Sequence, residues 1–156
     1  MPRSSLNAFA VKICEASGAT AIPQGPSTSD IHEIVWTSRS DAEIAAIMAA
    51  ADIFVLPSLF EGTPLTLIEA MWSGLPVVTT ATAGMKDVVS DEQTGLLIPP
   101  ADANALAAAI ERLMQDAALR RALGTAAHGV ATRDYTWDNA AATFASAYRA
   151  ARQRHG

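Results

Sequence analysis

The stretch Pro57-Ser58-Leu59-Phe60-Glu61-Gly62-Thr63-Pro64-Leu65-Thr66-Leu67-Ile68-Glu69-Ala70-Met71-Trp72-Ser73-Gly74-Leu75-Pro76-Val77-Val78 reads as strand end, tight loop, helix, stop and next strand. Ahead of it, Ile53-Phe54-Val55-Leu56 is a short apolar run of strand formers. Gly62 permits an unusual backbone angle in the loop. Pro64 suits the first helical position with Thr63 as N-cap, because proline pushes its predecessor out of the α region. Gly74 and Pro76 then stop the helix.

Two carboxylates frame this unit, Glu61 in the loop and Glu69 about one and a half turns inside the helix. Leu65, Ile68 and Trp72 form one apolar stripe and Leu67 and Met71 a second, leaving Thr66, Glu69 and Ser73 as a polar strip. A helix apolar on most sides is expected to be largely buried, with Glu69 either paired or solvated through a cleft. A helix N-terminus behind a glycine-containing loop offers free N–H groups and a positive dipole end, which suits a phosphate.

Strands and helices alternate on either side of this unit. Leu6 to Ala16 reads as a helix ended by Gly18, residues 24–29 as a loop, and Glu33 to Trp36 as a short strand. Ser40-Asp41-Ala42-Glu43 is a capping box opening a helix through Ile44, Ile47, Met48 and Ala51. Downstream, Val77 to Thr80 is a strand, Thr82 to Met85 a loop, and Lys86 to Ser90 a helical turn or two. Leu96 to Ile98 follows as a strand closed by Pro99-Pro100. Asp102 caps a helix, Asp116 opens another with Leu119 and Leu123 before Gly124, and Thr136 caps the last, with Phe144, Tyr148 and Ala151 on one side. The pattern predicts an α/β fold with a doubly wound parallel sheet, Rossmann-like, in one domain over residues 1–156.

Composition narrows the function classes. The 156 residues are 50% hydrophobic and 17% charged, a globular make-up able to bury about 70% of the unfolded surface. The net charge is −5, and no basic stripe is present beyond Arg120-Arg121 and Arg149, Arg152 and Arg154, so nucleic acid is not an expected partner. Cys14 is the one cysteine, which suits a packing role and a reducing cytosol. No signal peptide or membrane span is visible, so a cytoplasmic location is expected, with peripheral contact at the inner membrane face left open. His32 and His128 lack metal-ligand company, and neither a Ser-His-Asp order nor a Gly-x-Ser-x-Gly elbow appears. Trp36, Trp72 and Trp137 are expected in the core.

The residues from Ala51 to Val78 resemble the E-x7-E signature of retaining GT-B glycosyltransferases, the group that includes sucrose, glycogen and bacterial surface-polysaccharide transferases. Here the signature is Glu61-x7-Glu69, preceded by the family-like lead-in Ala51-Asp52-Ile53-Phe54-Val55-Leu56-Pro57-Ser58. Weaker matches follow in order: Ala83-Gly84 with Asp87-Val88-Val89, Thr94-Gly95-Leu96-Leu97, Asp102 to Leu113, and Tyr135-Thr136-Trp137. The similarity covers Ile34 to Tyr148 and points to the later part of a GT-B C-terminal domain.

The resemblance implies transfer of a sugar from a nucleotide-diphosphate sugar, which is a substrate, with no cofactor and no metal. Glu61 is then the catalytic position, accepting hydrogen bonds from the donor sugar's hydroxyls, and Glu69 takes the ribose diol. Gly62, Thr63, Leu65 and Thr66 supply amides to phosphate oxygens, Ser58 touches the base or closes the strand, and Gly84 and Met85 line the cleft. Lys86 lies near enough to reach phosphate. The acceptor, whether glycan, lipid or small molecule, is not readable. Neither an acceptor domain nor the family's opening strand with its Arg and Lys is seen, so a donor-binding fragment inactive alone is expected. An exposed apolar edge would favour self-association or a partner chain. Two alternatives stay open: a non-catalytic interaction module that keeps the fold, and a nucleotide-sugar 2-epimerase-like domain.

Overall fold

The structure, a computed structural model, describes residues 9–11 and 40–154. A sheet of four strands runs in the order β1 (Phe9–Val11), β2 (Ile53–Leu56), β3 (Val77–Thr80) and β4 (Leu96–Ile98). β2, β3 and β4 are parallel, with Val55 beside Val78 and Thr79 beside Leu97, while β1 pairs antiparallel with β2 as an edge strand. Among the described residues six helices accompany them: α1 (Asp41–Ala50), α2 (Leu65–Trp72), α3 (Ala83–Lys86), α4 (Ala103–Gln115), α5 (Ala117–Asp134) and α6 (Trp137–Arg154).

Every residue of β2 and β3 is buried, because helices cover both faces of the sheet and leave neither to water. The pleat sends alternate side chains to opposite sides. Phe54, Leu56 and Val77 pack with Leu67, Ala70 and Met71 of α2, Met85 of α3, and Ala127 and Ala131 of α5. Ile53, Val55, Val78, Leu96 and Ile98 pack with Ile110 and Leu113 of α4 and Leu123 of α5. α5 thus contributes to both layers. This is the expected α/β architecture with parallel core strands and helices on each face.

Local signals explain the boundaries. At α1 the Ser40 side chain accepts the Glu43 N–H, and the Ser40 N–H donates to the Glu43 carboxylate at 2.9 Å. Asp102 and Asp116 cap α4 and α5 by accepting from Ala105 and Leu119 at 2.9 and 2.8 Å, and Thr136 accepts from Asn139 at the start of α6. α2 ends in a Schellman arrangement: Gly74 sits at φ 75°, its N–H bonds to Met71, and the Leu75 N–H bonds to Ala70.

Several expectations are corrected. Phe9–Val11 is strand rather than helix, since three apolar residues gain more from pairing with the exposed edge of β2 than from one isolated helical turn. The rest of that expected helix and the Glu33 to Trp36 strand lie outside the described residues, as do Cys14 and His32. Thr82 to Met85 is not a loop, because α3 begins at Ala83. Gly124 does not end its helix. α5 continues ten residues beyond it, to Asp134, because the missing side chain lets α5 lie against the Gly74 carbonyl. Trp137 is 92% exposed and α6 buries no residue at all, so Trp137 is not a core residue, and the side carrying Phe144 and Tyr148 faces outward.

Candidate functional site

The site forms where β2 ends. Residues 57–64 turn away from the sheet and deliver the chain to α2, whose N-terminus opens at the carboxyl ends of the parallel strands. Open α/β sheets bind ligands at that edge. Two threonines of β3 hold the turn from behind. Thr79 Oγ1 donates to the Leu56 carbonyl at 2.8 Å, and Thr80 Oγ1 donates to the Ser58 carbonyl. Ser58 Oγ reaches Glu61 Oε1 at 3.5 Å.

α3 closes the loop from the other side. A Cβ on Gly84 would overlap the Gly62 carbonyl oxygen and would lie 2.6 Å from the Glu61 carbonyl oxygen. Only glycine allows this approach. The structure therefore brings Ser58, Glu61, Gly62 and Gly84 together. Gly84 is buried in that contact, and Met85 is fully buried in the core beneath α2, so the structure places Met85 in the packing and not on a ligand-accessible wall. Lys86 is exposed at the end of α3.

The start of α2 differs from expectation in one respect. The N-cap is Pro64, at φ −76° and ψ 116°, and no side chain caps the helix. Thr63 is exposed and stands one residue outside, because Pro64 keeps its own extended ψ and the first helical residue becomes Leu65. Gly62 adopts no positive φ, and its value lies in the bare backbone that α3 approaches. The first amides bonded within the helix are Leu67 and Ile68, both to the Pro64 carbonyl at 3.2 and 3.4 Å. Among the described residues, the N–H groups of Leu65 and Thr66 have no backbone acceptor, so two donors are left at the positive dipole end.

α2 buries only one face. Leu67, Ala70 and Met71 are inside, whereas Leu65 is 72% exposed, Trp72 is 42% exposed and Glu69 is exposed. Periodicity had offered the stripe Leu65, Ile68 and Trp72 as well. The sheet takes the opposite face, and residues at i, i+4 and i+7 from Leu65, namely Glu69 and Trp72, share the outer side. No donor among the described residues reaches the Glu69 carboxylate. Thr66 Oγ1 is buried without a partner, and so is Thr82 Oγ1 at the start of α3. Thr82 was not among the sequence candidates. Its signal would have been its position just after β3, next to the glycine that α3 needs.

The far end of α2 is tied down. His128 Nδ1 donates to the Trp72 carbonyl at 2.7 Å and its ring meets the indole edge-on, while Trp72 Nε1 donates to the Tyr135 carbonyl at 3.4 Å. Tyr135 Oη donates to the Asp87 carbonyl at 3.2 Å. Burial, then the nearby carboxylates of Asp134 and Asp87, push the Tyr135 phenol above its usual range and keep it a neutral donor. Among the described residues no cluster of three or more His, Cys, Asp or Glu could hold a metal ion, and no helix is long and apolar enough to cross a membrane.

A cleft of about 360 Å³ opens at the opposite edge of the sheet, lined by Asp52, Pro76, Arg120 and Arg121 among others. Arg120 there donates to the Leu113 and Met114 carbonyls at 2.5 and 2.9 Å, so its charge closes the last turn of α4. That cleft lies away from the helix N-terminus of α2 and from Glu61 and Glu69.

The chain is thus an α/β domain in which α2 starts without a side-chain cap at the carboxyl edge of the sheet, with Glu61 before that start and Glu69 after it. Residues 9–116 match the family described as Glycosyl transferases group 1, and the chain belongs to that family. It is 35% identical over 137 residues to the MMP alpha-(1->4)-mannosyltransferase of Mycolicibacterium hassiacum, covering 83% of this chain and 33% of that enzyme. Among solved structures it resembles the sucrose-phosphate synthase of Thermosynechococcus elongatus, with a TM-score of 0.69 and 37% identity over 77% of this chain and 30% of that one. It also resembles Anabaena HepE in complex with UDP-glucose, with a TM-score of 0.63 and 27% identity over 69% and 30% of the two chains. The fold is that of a GT-B C-terminal domain. The chain spans about a third of the length of the curated relatives it matches.

Proposed function

We propose that this domain binds the nucleotide-diphosphate sugar of a retaining, metal-independent glycosyl transfer, with the acceptor held elsewhere. The observation that carries the reading is the open N-terminus of α2. Its Leu65 and Thr66 amides are free, and the Glu61 and Glu69 carboxylates lie before and after them along the chain. A diphosphate needs several converging donors and a favourable dipole, and this turn supplies both. The UDP-glucose complex of Anabaena HepE supports the same ligand class.

In this reading the Gly62, Thr63, Leu65 and Thr66 amides meet phosphate oxygens, and their dipoles stabilise charge that grows on the departing diphosphate. Glu69, exposed on the outer side of α2, accepts from the ribose diol. Glu61 is held by Ser58 and by the Gly84 contact, and accepts from the sugar hydroxyls near the carbon that changes bonds. Ser58 borders the same cleft, and Gly84 and Met85 act from behind it, as the close-packed backing of the loop. Transfer passes through an oxocarbenium-like state on the face that keeps the leaving group. A water-excluding second wall is required for full effect, so the chain alone turns over slowly or not at all. Peripheral contact with the inner membrane face fits a lipid-borne acceptor.

Isothermal titration of the purified chain with UDP, GDP and ADP tests this. Saturable binding of one of them is expected, weakened at least tenfold in Glu69→Ala, an exposed position whose loss leaves the core intact. A folded chain that gives no heat with any of the three refutes the site.

A further inference from the structure

We propose that Phe60 is a stacking platform for the sugar ring of the donor, and so a specificity-determining residue next to Glu61. This rests on the reading of the loop as a nucleotide-sugar site. Phe60 is 92% exposed, as are Leu59 before it at 68% and Leu65 at the start of α2 at 72%. Three large apolar side chains in the open within seven residues are unusual for a surface meant only for water.

The loop that carries them is not loose. Thr79 and Thr80 hold the carbonyls of Leu56 and Ser58, and α3 presses against the carbonyls of Glu61 and Gly62 through Gly84. The backbone is thus fixed on both sides of Phe60 while the ring is left outside. A rigid backbone presenting an aromatic ring lowers the ordering cost of binding, which is what a recognition surface needs.

The chemistry of the neighbours selects the ligand. A pyranose carries hydroxyls around its rim and C–H bonds on its faces. Glu61, the next residue, is an acceptor for rim hydroxyls. An aromatic face is electron-rich and attracts the partly positive C–H hydrogens on the face of such a ring. Carboxylate and aromatic ring together fit a ligand that is polar at its rim and apolar on its face. A bare phosphate has no use for the ring. The nucleobase lies at the other end of the ligand, since the phosphates meet Leu65 and Thr66 and the ribose meets Glu69, further along α2.

The test is saturation-transfer NMR on the folded chain with UDP-glucose, and in parallel arms GDP-mannose and ADP-glucose, irradiating protein aromatic protons. Wild type is expected to pass saturation to the sugar C–H protons as well as to ribose. In Phe60→Ala the sugar-to-ribose signal ratio falls several-fold, and in Phe60→Trp it is retained. Because the ring is exposed, both variants keep the core, which a circular-dichroism melt verifies. Ribose signals that persist with an unchanged sugar ratio in Phe60→Ala refute the platform and leave the nucleotide site standing. A loss confined to base protons also refutes it, assigning the ring to the base. If no arm gives ribose or base signals, the nucleotide site itself fails and the platform fails with it.

Discussion

Gly84→Ala strikes the point where fold and site meet. The added methyl group would overlap the Gly62 carbonyl oxygen, and would stand 2.5 Å from the Gly62 carbonyl carbon and 2.6 Å from the Glu61 carbonyl oxygen. These are backbone atoms, so no side chain can swing aside. Either α3 or the loop must retreat by about 1.5 Å, an overpacking that costs roughly 1–3 kcal/mol. In a domain of this size that lowers the melting temperature by about 2–12 °C. The retreat also moves Glu61 against the Leu65 and Thr66 amides, so nucleotide affinity is expected to fall together with stability. Thermal melts measure the first consequence and nucleotide titration the second. A variant as stable as wild type, with unchanged nucleotide affinity, would refute the reasoning that α3 holds the loop through this contact.

Gly124→Ala and Gly129→Ala lie on the same helix and are expected to differ in sign. A methyl at Gly124 would press on the Gly74 carbonyl and lie 3.3 Å from the Pro76 nitrogen, so the melting point falls; Gly129 has open space, and its alanine variant gains about 0.5–1 kcal/mol from helix propensity. Thr66→Val replaces an unpartnered buried hydroxyl with an isosteric methyl, so stability in urea is expected to be unchanged or higher by up to about 1 kcal/mol. The Glu92–Arg112 pair gives a pH signature. Its hydrogen bond to Arg112 holds the Glu92 carboxyl below its ordinary range, so the pair's contribution is complete above that range and is lost as the pH falls through the lowered value. Glu92→Gln should therefore melt slightly lower than wild type near neutrality, and the gap should close in acid; a constant gap across pH would exclude the ion pair as its cause.

The parts of the fold that could be read from sequence are those written in contiguous residues. Ile53 to Leu56, Val77 to Thr80 and Leu96 to Ile98 are short apolar runs between turn residues, and all three are strands with the expected bounds. Ser40, Asp102 and Asp116 announce helix starts because an N-cap needs only its own side chain and an amide two or three residues on. What was hidden depends on neighbours distant in sequence. α2 has two apolar stripes, and only the position of the sheet decides that Leu67 and Met71 go inside while Leu65 and Trp72 stay out. Gly124 looks like a helix stop until the Gly74 carbonyl is placed against it, and Gly84 looks like a loop until Gly62 is. Trp137 reads as core by its size, yet α6 has no partner among the described residues to bury it.

The candidate site is built on α2 and the loop before it, and α2 is held separately at each end. The N-terminal end of α2 is set by the Gly62–Gly84 approach and by the threonines of β3, while its C-terminal end is set by His128, Tyr135 and the Gly74–Gly124 approach. A dipole aimed at a phosphate is useful only if its direction does not wander, and two separate anchors fix a direction where one would fix only a point. The anchors are made largely of backbone carbonyls, glycines and hydroxyls, so the exposed face of α2 is free to carry binding groups without weakening them. Changes at Glu69 should accordingly cost affinity with little stability, whereas changes at Gly124 should cost mainly stability and affect affinity only through the direction of α2. Changes at Gly84, which belongs to an anchor and touches the loop, should cost both.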